Sequence, residues 1–154
     1  MTNSALQEKP VRINDQLLSY WNSIKPATGL PKESEIDPDL LAPIWNSCFL
    51  IHIDSTANPV NYTYVNMGKD LVQAYGDDWS NRSVCEALVY PHPAPLLKSF
   101  ETITKTREPI IEDNEFKNMA SGMLIKYRCC LVPLSKDKAN EVAYILGGMK
   151  WKAY

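Results

Sequence analysis

Hydrophobic and polar positions alternate most regularly from Gly122 onward. Met123, Ile125, Tyr127, Cys129 and Leu131 fall on one side, and Lys126 and Arg128 on the other. A period of two marks a strand with one buried face. Residues 47–53 place Phe49, Ile51 and Ile53 opposite Cys48, Leu50 and His52. Both sets are largely apolar, which predicts a strand covered on both sides. In residues 60–67, Val60, Tyr62 and Tyr64 share a face and Asn61, Thr63 and Val65 the other, a second strand. Residues 109–117 carry Ile110, Ile111 and Phe116 among charges, and residues 142–151 carry Ile145, Met149 and Trp151 on one side. Gly147-Gly148 in the last run predicts a bulge or a close backbone approach.

Other stretches have helical spacing. Leu17, Leu18, Trp21 and Ile24 predict an amphipathic helix over 15–25, ended by Pro26 and Gly29. Asp37-Pro38 reads as an N-cap followed by proline at the first helical position, predicting a short helix over 38–44. A run over 69–75 lies between Gly68 and Gly76, and Asn81 is expected in a left-handed conformation in the turn after it. Residues 84–89 are read as a further short helix. Pro91, Pro93 and Pro95 lead into a longer one with Leu96, Leu97, Phe100 and Ile103 at helical spacing, ending before Pro109.

Two strands, a helical crossover and three meandering strands predict an α+β fold. It comprises a five-stranded antiparallel sheet with short helices on one face and an extra N-terminal helix. A flexible tail over 1–13 and one domain over 14–154 account for the 154 residues. With 45% hydrophobic and 22% charged residues the chain has an ordinary globular composition. A net charge of −2 excludes the polycationic footprint of a nucleic-acid binder. The four cysteines, Cys48, Cys85, Cys129 and Cys130, form no Cys-x-x-Cys pair. The first residues hold no apolar signal segment, and no apolar run is long enough to span a bilayer. The expectation is a reduced, cytoplasmic protein without membrane insertion.

Several of these features together resemble the PAS_5 branch of bacterial PAS domains. They are Tyr20-Trp21, Gly29-Leu30-Pro31, Ile36-Asp37-Pro38, the strand Phe49-Leu50-Ile51, the strand-glycine-helix run ending at Tyr75-Gly76, Tyr127-Arg128, and Leu131-Val132-Pro133-Leu134. The resemblance spans about 17–151. Lys69 departs from the small hydroxyl residue expected after Gly68, and Asn81 stands where a second glycine is usual. The resemblance implies a stand-alone sensory and interaction module of signal transduction. Its partners would be a small molecule, or a regulatory protein such as a histidine kinase. It also implies a homodimer joined through the first helix and the outer sheet face, burying Trp151 or Leu146.

Phe49, Tyr62, Tyr64, Tyr75, Phe100 and Tyr127 are the set that could line a ligand pocket or, equally, fill a core. A buried phenol needs a hydrogen-bond partner, and convergent hydroxyls in an apolar cup suit a small ligand. Catalytic and metal sites are not expected. Of the two histidines, His52 sits in the first strand near Cys48 and His92 between two prolines. Neither has a supporting motif for haem. The short helix lacks the cysteine that light-sensing PAS domains use to bond flavin. Glu112, Asp113 and Glu115 read as a charged edge strand. The rival readings are a small enzyme with His52 facing a tyrosine-lined cavity, and a ligand-free scaffold or dimerisation protein.

Overall fold

A computed structural model describes residues 12–86, 89–90 and 95–154. Helix α1 (Ile13–Ile24) precedes two 3-10 turns, Glu33–Glu35 and Trp45–Ser47. Strands β1 (Cys48–Asp54) and β2 (Asn61–Met67) lead to helix α2 (Lys69–Tyr75) and a third 3-10 turn, Val84–Glu86. The two-residue β3 (Val89–Tyr90) and helix α3 (Pro95–Thr106) come next. The chain ends in β4 (Ile110–Asn118), β5 (Leu124–Leu134) and β6 (Tyr144–Ala153). The sheet order is β2-β1-β6-β5-β4-β3 and every pairing is antiparallel. The expected five-stranded α+β sheet is therefore present, extended by β3 at one edge.

The centre of the sheet is buried on both sides. Gly147 and Gly148 are consecutive in β6 and so point to opposite faces. A Cβ on Gly147 would stand 2.2 Å from Phe49 Cζ, and one on Gly148 would stand 3.1 Å from Ile13 Cδ1 and 3.2 Å from Leu17 Cδ2. Phe49, with α2 and α3, covers the inner face; α1 covers the outer face over β5 and β6. The ladder runs unbroken through Cys130↔Gly148 and Leu131↔Gly147, so the glycine pair serves close approach and not a bulge. The irregularity lies in β1, between Leu50 and Ile51.

The apolar stripe of α1 packs on its own sheet. Leu17 is fully buried, Trp21 is buried, and the Trp21 indole N–H donates to the Pro133 carbonyl at 2.8 Å. Leu146 is 1% exposed, and the Trp151 indole donates to the Asp70 carbonyl at 2.9 Å on the opposite face. Leu146 is therefore already covered and Trp151 lies on the inner face, so neither is presented on the outer sheet face where one or the other was expected to be buried in a dimer.

Other expectations need correction. Residues 38–44 form successive turns closed by three-residue bonds, among them Leu40 N–H to Asp37 O and Ile44 N–H to Leu41 O. Pro43 has no N–H for the four-residue bond a helix would require. Asp37 still caps: its carboxylate accepts from Asp39 N–H at 3.0 Å. The helix expected over 84–89 reduces to Val84–Glu86, with Val89 paired to Asn118 in β3 and residues 87–88 outside the described set. Pro91, His92 and Pro93, and most of the expected N-terminal tail, also lie outside it. Met123 precedes β5 and is 39% exposed, so it does not face the core. Asn81 does adopt a left-handed conformation, at φ +67°. Among the described residues, no helix is long and apolar enough to cross a membrane.

Gly147→Ala should destabilise the fold by about 1–3 kcal/mol, because neither Phe49 nor the strand can yield the missing space without strain. Urea unfolding followed by circular dichroism measures this. An unchanged midpoint would show that Phe49 can retreat.

Candidate functional site

The six aromatic residues singled out from sequence come from five elements and meet on the inner face. Phe49 stands on β1, Tyr62 and Tyr64 on β2, Tyr75 at the end of α2, Phe100 on α3 and Tyr127 on β5. All six are buried. Tyr62 lies 5.7 Å from Phe100 between ring centroids, Phe100 lies 6.4 Å from Phe49, and Phe49 meets Tyr64 edge-on at 6.2 Å. Tyr64 meets Tyr75 at 6.3 Å, Tyr75 stacks on Phe116 at 4.7 Å, and Phe116 reaches Tyr127 at 5.9 Å. The rings form one continuous string across the interior. Phe116 is the link that the sequence set lacked. Its strand is mostly charged, but it pairs with Ile125 in the ladder and its side chain is 2% exposed.

The string is held by the placement of α2. Gly68 N–H donates to the Cys48 carbonyl at 2.8 Å, and a Cβ there would stand 2.2 Å from the Asn46 carbonyl oxygen, so only glycine lets the helix start this close to β1. The Ser47 hydroxyl donates to the Asp70 carboxylate at 2.9 Å, and Trp151 holds the Asp70 carbonyl. At the other end Gly76 takes φ +82° and its N–H caps the Val72 carbonyl. Asn118, 2% exposed, then clasps this end. Its amide donates to the Ala74 carbonyl at 2.9 Å, while its oxygen accepts from the N–H groups of Ala120 and Ser121. Asn118 carries no sequence signal, since its partners depend on the sheet register. Lys69, unexplained from sequence, is exposed and turns away from the string.

The phenols differ in their partners. Tyr64 and Tyr75 share a hydrogen bond, and Tyr62 shares one with Thr104. Tyr127 Oη is buried and has no partner among the described residues. Burial pushes the Tyr64, Tyr75 and Tyr127 hydroxyls well above the usual phenol range, with neighbouring groups adding to the rise for Tyr75 and Tyr127. All three therefore stay neutral at physiological pH and serve as donors and acceptors, not as bases. At Tyr62 the string reaches an apolar cleft of about 360 Å³ between the β1–β2 end and α3, bordered also by Ile53, Val60, Leu97 and Cys85.

The remaining candidates do not converge on this string. His52 is half-buried on the outer face, its ring 5.2 Å from that of Tyr144, so it cannot face a cavity among the tyrosines as the enzyme reading required. Glu112 accepts from the Ser99 hydroxyl at 2.7 Å, while Asp113 turns to Arg128 on the other face. Burial raises the Cys48 and Cys130 thiols to about 12. Burial, with the Glu112 charge behind it, also raises Cys129. Cys85 alone among the cysteines is exposed.

A family model described as PAS domain, PAS_5, matches residues 10–150. Among solved structures, a light-oxygen-voltage domain studied with a flavin analogue matches at a TM-score of 0.54 and 11% identity, over 77% of this chain and 87% of that one. The PAS domain of a Colwellia psychrerythraea protein matches at a TM-score of 0.51 and 13% identity, over 73% of this chain and 93% of that one. At such identities the likeness is one of fold. No protein of curated function matches the sequence.

Two outcomes follow from the site. Tyr75→Phe should cost about 1–3 kcal/mol by stranding the Tyr64 hydroxyl, whereas Tyr127→Phe should be neutral or stabilising, since it deletes a hydroxyl that bonds nothing. Chemical denaturation of the two variants compares them directly. Second, Ellman's reagent should label one thiol, Cys85, rapidly in the native protein, and the three buried thiols only on unfolding.

Proposed function

Since the chain belongs to the PAS_5 family of PAS domains, we propose that it is a sensory and interaction module of bacterial signal transduction, acting in the cytoplasm through contact with a regulatory protein such as a histidine kinase. The observation that carries this reading is the family match over nearly the whole described body. The interior supports it as well. Rings in mutual contact occupy the space beneath α2 and α3, and the polar groups there are neutral phenols and high-pKa thiols. Such a module changes its partner by shifting the balance between two surface states.

A second reading, a small-molecule sensor, is favoured by two observations. Tyr127 Oη is an unused buried hydrogen-bonding group at one end of the string, and the cleft beside Tyr62 opens at the other. In this reading Phe49, Tyr62, Tyr64, Tyr75, Phe100 and Tyr127 line the site once α2 or α3 yields. Self-association, if it uses α1, draws on the outward side of that helix, because Leu17 and Trp21 are already buried.

The reading is tested by adding the purified protein to each histidine kinase of its source organism and following autophosphorylation. At least one kinase should change rate. No effect on any of them would overturn the proposed partner class. Native mass spectrometry separates the two modes. A bound mass lost in Tyr127→Phe supports the sensor, and the bare polypeptide mass supports contact alone.

A further inference from the structure

On the outer face of the sheet, two rows of charge cross three strands. Asp113, Arg128 and Lys150 are cross-strand neighbours in one row, and Glu115, Lys126 and Lys152 in the next. Between the first row and the start of α1 lies a hollow of about 460 Å³. Arg12, Asn14 and Asp15 border it from the helix, and Ile111, Asp113 and Arg128 from the sheet. Glu112 borders it too, but its carboxylate is taken by the Ser99 hydroxyl on the inner face.

Three kinds of hydrogen-bonding group in this hollow are unused among the described residues. Asn14 is 5% exposed, and its Oδ1 is buried with no partner. A buried amide oxygen without a donor costs stability. Helix α1 starts at Arg12 with no side-chain cap, so the N–H groups of its first turn are met by no side chain. Arg12 and Asp15 are exposed and in no ion pair, although only three residues separate them. Arg128 and Asp113, by contrast, satisfy each other through two bonds, of 2.9 Å and 3.1 Å.

The hollow therefore offers a free cation and a free anion side by side, next to a helix start and a stranded acceptor. A simple anion would meet Asp15 and Asp113. A simple cation would meet Arg12 and the positive end of α1. A molecule carrying both charges on one small frame is opposed by neither.

We propose that this hollow binds a free α-amino acid with an apolar side chain. Its carboxylate meets Arg12 and the first-turn N–H groups of α1. Its ammonium donates to Asp15 and to the Asn14 oxygen. Ile111, 53% exposed on β4, gives the side chain an apolar surface. Occupancy ties the start of α1 to β4 and β5. The site lies across the sheet from the aromatic string, so it goes beyond the interior reading and does not rest on it.

The probe is L-leucine, titrated into nitrogen-15-labelled protein and followed by backbone amide and arginine Nε shifts. The shifts should saturate and centre on residues 13–15, Ile111 and Arg128. The anion 4-methylpentanoate lacks the ammonium, and the cation leucinamide lacks the carboxylate. Each should bind at least about tenfold more weakly than leucine, and Arg12→Gln and Asp15→Asn should each weaken leucine by a similar factor. Both side chains are exposed, so these variants keep the fold. Asn14→Leu should lose leucine binding yet unfold at an equal or higher urea concentration, because an apolar group replaces a stranded amide. Four results would overturn the proposal. They are no saturation by leucine at millimolar concentrations, equal binding of either half-charged analogue or of the dipeptide leucyl-leucine, unchanged affinity in Arg12→Gln or Asp15→Asn, and shifts that centre on Tyr62 and Tyr127. The last would move the ligand to the interior, removing this site while supporting the sensor reading. Leucine binding that persists in Tyr127→Phe supports a site separate from the string.

Discussion

Two missing side chains let three layers close on one sheet. With no Cβ at Gly147, the Phe49 ring lies against the β6 backbone; with none at Gly148, Ile13 and Leu17 do the same from the other side. An α+β protein normally has one apolar sheet face to cover. Here the middle of the sheet has two, which is why Cys130, Val132, Leu134 and Leu146 are as buried as Cys129, Leu131 and Ile145. The inner packing fixes Phe49, and Phe49 anchors two neighbouring rings of the string. The outer packing fixes α1, and where α1 stops the open charged face begins. Core and surface are thus both set by the same pair of residues.

The aromatic string divides the interior by polarity. Its Phe49, Phe100 and Phe116 links are wholly apolar. The tyrosines bring hydroxyls that are satisfied locally, except at Tyr127. An unsatisfied buried hydroxyl costs stability, on the order of 1–3 kcal/mol where no water or ligand reaches it. A protein whose purpose were packing alone would do better with phenylalanine there. Within a PAS domain, that local cost marks the end of the string at which the interior is least finished.

Much of this was legible in the sequence because the periodicities are strong. The alternation in β5, the helical spacing in α1 and the glycines bracketing α2 each agree with the structure, and the six aromatic residues do meet. The misreadings occur where local pattern and long-range contact disagree. Residues 38–44 have a helix-like entry, but Pro43 removes the bond that would carry the helix on. Val89 looks helical until β4 offers it an edge, and a two-residue strand shows no alternation. Phe116 hides among charges, and Asn118 is an ordinary polar residue until the fold brings the Ala74 carbonyl to it. The placement of Leu146 and Trp151 on opposite faces follows from parity, but which face was covered depended on where α1 lay.

Strand β5 is a wall shared by two rooms. Tyr127 projects inward to close the aromatic string, while its sequence neighbours Lys126 and Arg128 project outward into the charged rows. Their Cα atoms are a single peptide apart, about 3.8 Å. The backbone of β5 is therefore common to both surfaces. A one-residue slip in its register would exchange them, sending Tyr127 outward and the cations into the core.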